Sequence, residues 1–205
     1  MSGPAGRLVA LEGIDGSGKS TQATILAQRL GALLTYEPGG TELGVAIRAL
    51  LLDPEHRPSA RAEALLMAAD RAQHVHEVIE PALAAGRWVV TDRYCGSTLA
   101  YQGFGRGLGA PSLHGVLEFA TAGVAADLSV LLEVPLELAR ARTAGSWRDR
   151  LERDDDDFHA RVAAGYQELV RSDPDRWVVV DGTADVETVA DAVHAAVVGR
   201  LGRPG

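Results

Sequence analysis

Residues 13–21 read Gly13-Ile14-Asp15-Gly16-Ser17-Gly18-Lys19-Ser20-Thr21 and match the pattern G-x-x-x-x-G-K-[ST] in full. The run Leu8–Glu12 ahead of them reads as a short buried strand, and apolar residues at helical spacing follow, which is the strand–loop–helix context the pattern requires. The chemistry of such a stretch is phosphate binding. Its glycines let successive backbone N–H groups converge on phosphate oxygens, and the start of the next helix adds partial positive charge. Lys19 is placed to reach the β- and γ-phosphates of a nucleotide such as ATP, and Ser20 to ligate Mg²⁺. A plain glycine turn at a helix start would share the glycines but not the lysine. The motif points to nucleotide binding and leaves the use of the phosphate open: signalling, motor work, or transfer to a second molecule.

Lys19 is the only lysine in the chain; the other 19 basic residues are arginines. Coding bias accounts for arginine elsewhere but not for this exception. A compact ammonium fits inside a backbone cradle where a planar guanidinium does not.

The 205 residues suit one domain with a sizeable core. A formal net charge of −8 lacks the basic footprint of a general nucleic-acid binder, so no nucleic-acid partner is expected. The single cysteine, Cys95, rules out an internal disulfide and a CxxC metal site and fits a reducing compartment. No run approaches about 18 consecutive apolar residues, and the segment Met1–Arg7 lacks the hydrophobic core of a signal peptide. The expectation is a cytoplasmic protein without membrane association.

The elements that must position the loop alternate along the chain. Strands are expected at Leu8–Glu12, Leu33–Tyr36, 87–93, 127–134 and 176–182, and helices at Lys19–Leu30, Val45–Leu52, Ala60–Ala85, from Cys95, Ser112–Ala122, from Pro135 to about Arg142, Phe158–Arg171 and Asp185–Leu201. That order implies an α/β fold, a parallel sheet with helices on both faces. Ligands in such folds lie at the carboxyl ends of the strands, where Glu12, Glu37 and Asp92 fall. Asp92 suits a carboxylate near Mg²⁺ or a helix cap; Arg93 beside it suits a phosphate-handling site.

The stretches "GIDGSGKST" (13–21), "EPGGTELGVAIRALLLD" (37–53), "AEALLMAADRAQHV" (62–75), "TDRYCGSTLAYQG" (91–103), "DRLE" (149–152) and "FHARVAAGYQEL" (158–169) resemble, in order and spacing, the thymidylate kinase family. The likeness runs from about Arg7 to the last helix. It implies a single P-loop NTPase domain, 1–205, with a five-stranded parallel sheet and a short lid at about 142–156. It also implies the reaction ATP + dTMP → ADP + dTDP with Mg²⁺, and a homodimer. The acceptor oxygen belongs to a phosphate monoester with a second pKa near ~6, already largely anionic at pH 7, so no general base is required. The work left to the protein is to bring two polyanions together and screen their repulsion. Many arginines near expected loops, and no convincing His–carboxylate pair, fit that task.

Residue by residue, the resemblance implies that Arg93 and Arg48 hold the dTMP phosphate and that Arg71 reaches the thymine edge. Ser97, Thr98 and Gln102 line the base pocket, and Tyr101 closes against the sugar 2′ position. Asp15 and Glu37 are the acidic residues near the sugar 3′-OH, the phosphate and Mg²⁺, with Ser20 and Asp92 as metal ligands. Arg48 and Arg71 also fit solvated helix positions, and Ser97 and Gln102 fit local caps. Met67 stands where the family usually has a phenylalanine stacked on thymine, and it suits either a softer base contact or the core. Gly16 stands where one branch of the family carries a P-loop arginine. The resemblance then assigns stabilisation of the transferring phosphoryl to lid arginines, with Arg148 and Arg150 as candidates and Arg142 behind them. A solvated loop balanced by Asp154–Asp157 is the other reading of that segment. The competing functions are another small P-loop kinase, such as a deoxynucleoside kinase with Glu37 as base, and a slowly hydrolysing nucleotide switch.

Overall fold

In the computed structural model, residues 6–144, 150 and 155–204 are described. Five strands form one sheet: β1 (Leu8–Glu12), β2 (Leu33–Tyr36), β3 (Val89–Asp92), β4 (Leu128–Glu133) and β5 (Trp177–Asp181). The sheet order is β2-β3-β1-β4-β5 and every pairing is parallel. Both faces are covered, because alternate residues of each strand point to opposite sides. Val9 and Leu11 of β1 and Leu128, Val130 and Leu132 of β4 pack on α1 (Lys19–Leu30) and α9 (Val186–Leu201). On the other face, Leu8 and Ala10 meet Val75, Ile79 and Ala82, while Leu131 meets Phe158, Val162 and Tyr166 of α8 (Asp156–Ser172). The expected α/β fold with a five-stranded parallel sheet is therefore the observed one.

The remaining helices differ from the sequence reading in informative ways. α2 spans Glu42–Leu52 and starts three residues before the expected Val45, because the Thr41 hydroxyl accepts from Gly44 N–H and caps it. Ser59 caps α3 (Ala60–His74) as expected, but the run to residue 84 is broken by a π turn at Val75–Ile79 before α4 (Glu80–Ala84). α5 (Cys95–Thr98) likewise opens into a π segment, Leu99–Gly105, a distortion that often marks functional positions. α6 (Ala110–Thr121) and α7 (Leu136–Thr143) complete the set. Among the described residues no helix is long and apolar enough to cross a membrane.

Candidate active site

The phosphate loop joins β1 to α1. Gly18 caps α1 in the left-handed region, φ 98°, so the helix opens directly onto the loop. Gly16 has φ 81°, and a Cβ there would stand 2.2 Å from the Ala139 carbonyl oxygen of α7. No side chain fits at that position, which accounts for the missing loop arginine in steric terms. Lys19 is buried, and its Nζ donates to the Ile14 carbonyl at 2.8 Å and lies 3.9 Å from Asp15 Oδ1. Burial, with Arg93 nearby, holds its pKa down to about 8 against the pull of Asp15 and Asp92.

Ser20, in the first turn of α1, donates to Asp92 Oδ2 at 2.5 Å, and Asp92 Oδ1 is buried with no hydrogen-bond partner among the described residues. A hydroxyl beside an unpaired carboxylate oxygen is the donor set that a hard cation such as Mg²⁺ takes. The two metal-ligand candidates are thus brought together, and they fit the ion.

Arg93 follows Asp92 with φ 73°, a left-handed conformation that costs a non-glycine residue energy and persists only where the surroundings enforce it. Its backbone N–H donates to the Leu11 carbonyl, and its own carbonyl accepts from Thr91 Oγ1. The guanidinium pairs with Asp15, donates to Ser97 Oγ at 2.9 Å and to the Gly13 carbonyl at 3.3 Å, and lies 5.0 Å over the Tyr101 ring. The Tyr101 hydroxyl donates to Asp15 Oδ2 at 2.8 Å. Burial works to raise the Asp15 pKa, but the Arg93 and Lys19 charges outweigh it and hold the carboxyl well below the usual range. Behind this group lies Glu12, fully buried, accepting from Tyr94 N–H, Ser97 Oγ and Tyr166 Oη; burial pushes its pKa up.

A second network fixes the far end of the cavity. Arg71 is buried, not solvated; its Nε donates to Glu37 Oε2 at 2.8 Å, Nη1 to Thr98 Oγ1 at 2.9 Å and Nη2 to the Tyr94 carbonyl at 3.0 Å. The other Glu37 oxygen pairs with His74 Nδ1 at 2.8 Å, and His74 Nε2 meets Thr35 Oγ1 at 2.5 Å. The expectation of no His–carboxylate pair is therefore corrected: His74–Glu37 is one. It is sealed, however, with His74 at 0% exposure. His74 thus bridges Glu37 and Thr35 through its two ring nitrogens. Asp70 Oδ1 accepts from Gly39 N–H at 2.9 Å and ties down the loop after Glu37, while burial and the Glu37 charge push the Asp70 pKa up to about 6. Arg48 Nη1 donates to the Pro38 carbonyl at 2.8 Å. Gln102 Nε2 donates to Glu63 Oε1 at 2.9 Å.

One cavity of about 670 Å³ joins the two networks. Lys19, Ser20, Thr21 and Asp92 line one part of it, and Glu37, Arg48, Met67, Arg71, Ser97, Thr98, Tyr101 and Gln102 the other, with Asp15 and Arg93 lining it as well.

The family model described as thymidylate kinase matches residues 11–193. The chain belongs to the thymidylate kinase family. A thymidylate kinase of Synechococcus sp. (strain RCC307) is 49% identical over 204 residues, covering 94% of this chain and 95% of that one. Another, from Carboxydothermus hydrogenoformans, is 46% identical over 190 residues, covering 90% and 93%. The crystal structure of thymidylate kinase from Ehrlichia chaffeensis superposes with a TM-score of 0.80 at 28% identity, over 95% of this chain and all of that one. Membership in the thymidylate kinase family makes the chain a kinase of small-molecule substrates.

The lid arginines are the part of the family reading that the geometry redistributes. Arg148, with most of the expected lid, lies outside the described residues. Arg150 does not stand at the phosphate loop: its Nε donates to the Leu51 carbonyl and its Nη2 to Glu63 Oε2 at 2.6 Å, and it lines a smaller cavity with His56, Arg57 and Arg106. Among the described lid residues, Arg142 lies beside the loop, with Nη2 2.8 Å from the Gly182 carbonyl and Nη1 3.5 Å from that of Ser17. Three residues escaped the sequence reading as parts of the site, Glu63, Asp70 and His74, whereas Glu12 stands at a ligand-side strand end as expected. Glu63, Met67 and Arg71 recur at i, i+4 and i+8, a helical spacing that puts Glu63 on the site-facing stripe.

Proposed function

We propose that the protein transfers the γ-phosphoryl group of ATP in line to the phosphate of dTMP, giving ADP and dTDP. The observation that carries this reading is a shared cavity, lined both by the phosphate-loop Lys19 and by Arg48, Arg71 and Arg93. The loop amides and Lys19 hold the β- and γ-phosphates. Arg93 and Arg48 hold the dTMP phosphate, Arg71 and Gln102 meet the thymine edge, and Tyr101 lies against the sugar. Met67 supplies a polarisable thioether face for the base. Ser20 and Asp92 would hold Mg²⁺, which screens the phosphate charge and orients the transferring group.

No proton acceptor is needed at the nucleophile, because the dTMP phosphate oxygen is already anionic near pH 7. Both Glu37 oxygens are occupied by Arg71 and His74, which speaks against the deoxynucleoside-kinase reading, where a free carboxylate would deprotonate a neutral hydroxyl. Catalysis is positioning and electrostatic screening.

Exposed apolar side chains on α2 (Leu43, Val45, Leu50), α3 (Leu65) and α6 (Phe119, 90% exposed) favour a homodimer that buries them. The compartment that supplies ATP and reduced thiols, the cytoplasm, fits the chemistry and the half-buried Cys95 thiol.

Coupled ADP release with ATP·Mg²⁺ tests the reading. dTMP should stimulate release strongly and thymidine should not. Phosphorylation of thymidine would favour the nucleoside kinase; release indifferent to both would favour a switch.

A further inference from the structure

Two side chains that line the cavity, Arg71 and Gln102, stand where the proposed function places the base. Arg71 has five N–H bonds. One on Nε goes to Glu37, one on Nη2 to the Tyr94 carbonyl and one on Nη1 to Thr98, while Nη2 is also ion-paired with Glu37 Oε2 at 2.7 Å. One donor on Nη1 is left for the cavity that Arg71 lines. Gln102 lines the same cavity and is 1% exposed. A carboxamide can turn either its oxygen or its nitrogen to a ligand, and a neutral neighbour leaves that choice open. Here the neighbour is Glu63, which is 1% exposed and accepts on Oε1 from Gln102 Nε2 and Arg106 Nε, and on Oε2 from Arg106 Nη2 and Arg150 Nη2. Burial alone would raise the Glu63 pKa, but the Arg106 and Gln102 hydrogen bonds outweigh it and lower the pKa. An ionised carboxylate only accepts, so it commits the Gln102 nitrogen and leaves the oxygen to the ligand.

We infer that Glu63 is a specificity-determining residue, which by orienting the Gln102 amide makes the pocket present one donor (Arg71) and one acceptor (Gln102) and so selects a pyrimidine edge with a carbonyl beside an N–H over one with an amino group beside a bare ring nitrogen. This rests on the dTMP reading above. Thymine and uracil carry the matching edge, and cytosine carries both groups reversed. A mismatched base would leave a buried donor and a buried acceptor unpaired, the arrangement that discriminates most strongly.

The test is the ratio of kcat/KM, and of Kd by calorimetry, for dTMP over dCMP. It is measured on the wild type, Glu63→Gln, Gln102→Leu and the double variant. Glu63→Gln lets the Gln102 amide turn over, so the ratio should fall about tenfold or more, with dUMP against dTMP unchanged. Gln102→Leu should lower the ratio similarly, and Glu63→Gln should add nothing to it in that background. Glu63→Asp keeps an acceptor-only partner and should keep the ratio even if turnover drops, which covers the case where Glu63→Gln does not fold. A Glu63→Gln variant that loses dTMP and dCMP activity in equal proportion, or that changes the ratio equally without Gln102, overturns the assignment. A wild-type chain that binds dTMP in preference to dCMP but does not phosphorylate it would end the proposed reaction while the Kd ratios still judge Glu63.

Discussion

The two ends of the cavity are built on different plans. The proposed donor end is a stretch of nine consecutive residues, 13–21, in which backbone amides and one lysine would hold the phosphates. The acceptor end is assembled from β2 and its following loop, α2, α3, the turn after β3, and the π segment after α5, and its chemistry resides in side chains that hold one another. A contiguous backbone cradle tolerates few changes but depends on few partners. A side-chain assembly spreads its tolerance across many contacts, and losing one leaves others unpaired. Mutations should therefore sort by end: donor-side changes in turnover with acceptor binding intact, acceptor-side changes in dTMP affinity with ATP binding intact.

The largest effect should come from the donor end. Lys19→Ala should lower kcat by about 10³-fold while the Kd for dTMP, measured by calorimetry without nucleotide, changes little. Loss of dTMP binding in that variant would break the separation. At the acceptor end, Arg71→Lys keeps a charge for Glu37 but loses the fork that reaches Thr98 and Tyr94. The KM for dTMP should rise about 30-fold, the equivalent of one charge-assisted hydrogen bond to the ligand, with the KM for ATP unchanged.

Two pH experiments sharpen the contrast. Free Lys19 titrates at about 8, and bound phosphate favours its ammonium form, so nucleotide binding takes up a proton above that pH. ATP affinity should fall by up to about tenfold per pH unit above 8, whereas dTMP affinity, resting on arginines, should not. A smaller effect concerns stability. Asp70 keeps its proton in the fold up to about 6, against 3.8 for the unperturbed carboxyl. The folded chain therefore binds the extra proton between those values, and that contribution is lost as pH rises through 6. Asp70→Asn should remove about 1 kcal/mol of the stability difference between pH 5 and pH 7.5 in urea unfolding.

The same contrast explains what the sequence made legible. The donor loop could be read outright because its chemistry is local, and the five strands could be read because apolar runs bounded by glycine or charge leave few alternatives. Arg48, Arg71, Ser97, Thr98, Tyr101 and Gln102 were reachable through the family resemblance, and all of them line the cavity. What closes the acceptor network was hidden. His74 meets Glu37 across 37 positions of sequence, and nothing local distinguishes it from an ordinary helix histidine. The π turns were equally silent, since a shift from i→i+4 to i→i+5 bonding leaves no mark in apolar spacing. The family resemblance makes Arg150 a candidate for the phosphoryl group alongside Arg148, but its partner Glu63 lies 87 residues away, and a pairing at that distance leaves no trace in local spacing. Glu63 itself was readable in principle from its four-residue spacing to Met67 and Arg71.

In the proposed reaction, cationic groups and a metal bring two polyanions together with no side chain acting as base. The most direct test is the pH dependence of kcat/KM for dTMP, compared with the analogue bearing sulfur in place of one phosphate oxygen, which lowers the acceptor's own pKa. An acid limb near ~6 is expected for dTMP, moving down with the analogue and unmoved by Asp70→Asn. An acid limb that ignores the analogue would contradict this reaction, because the rate would then depend on a deprotonated side chain.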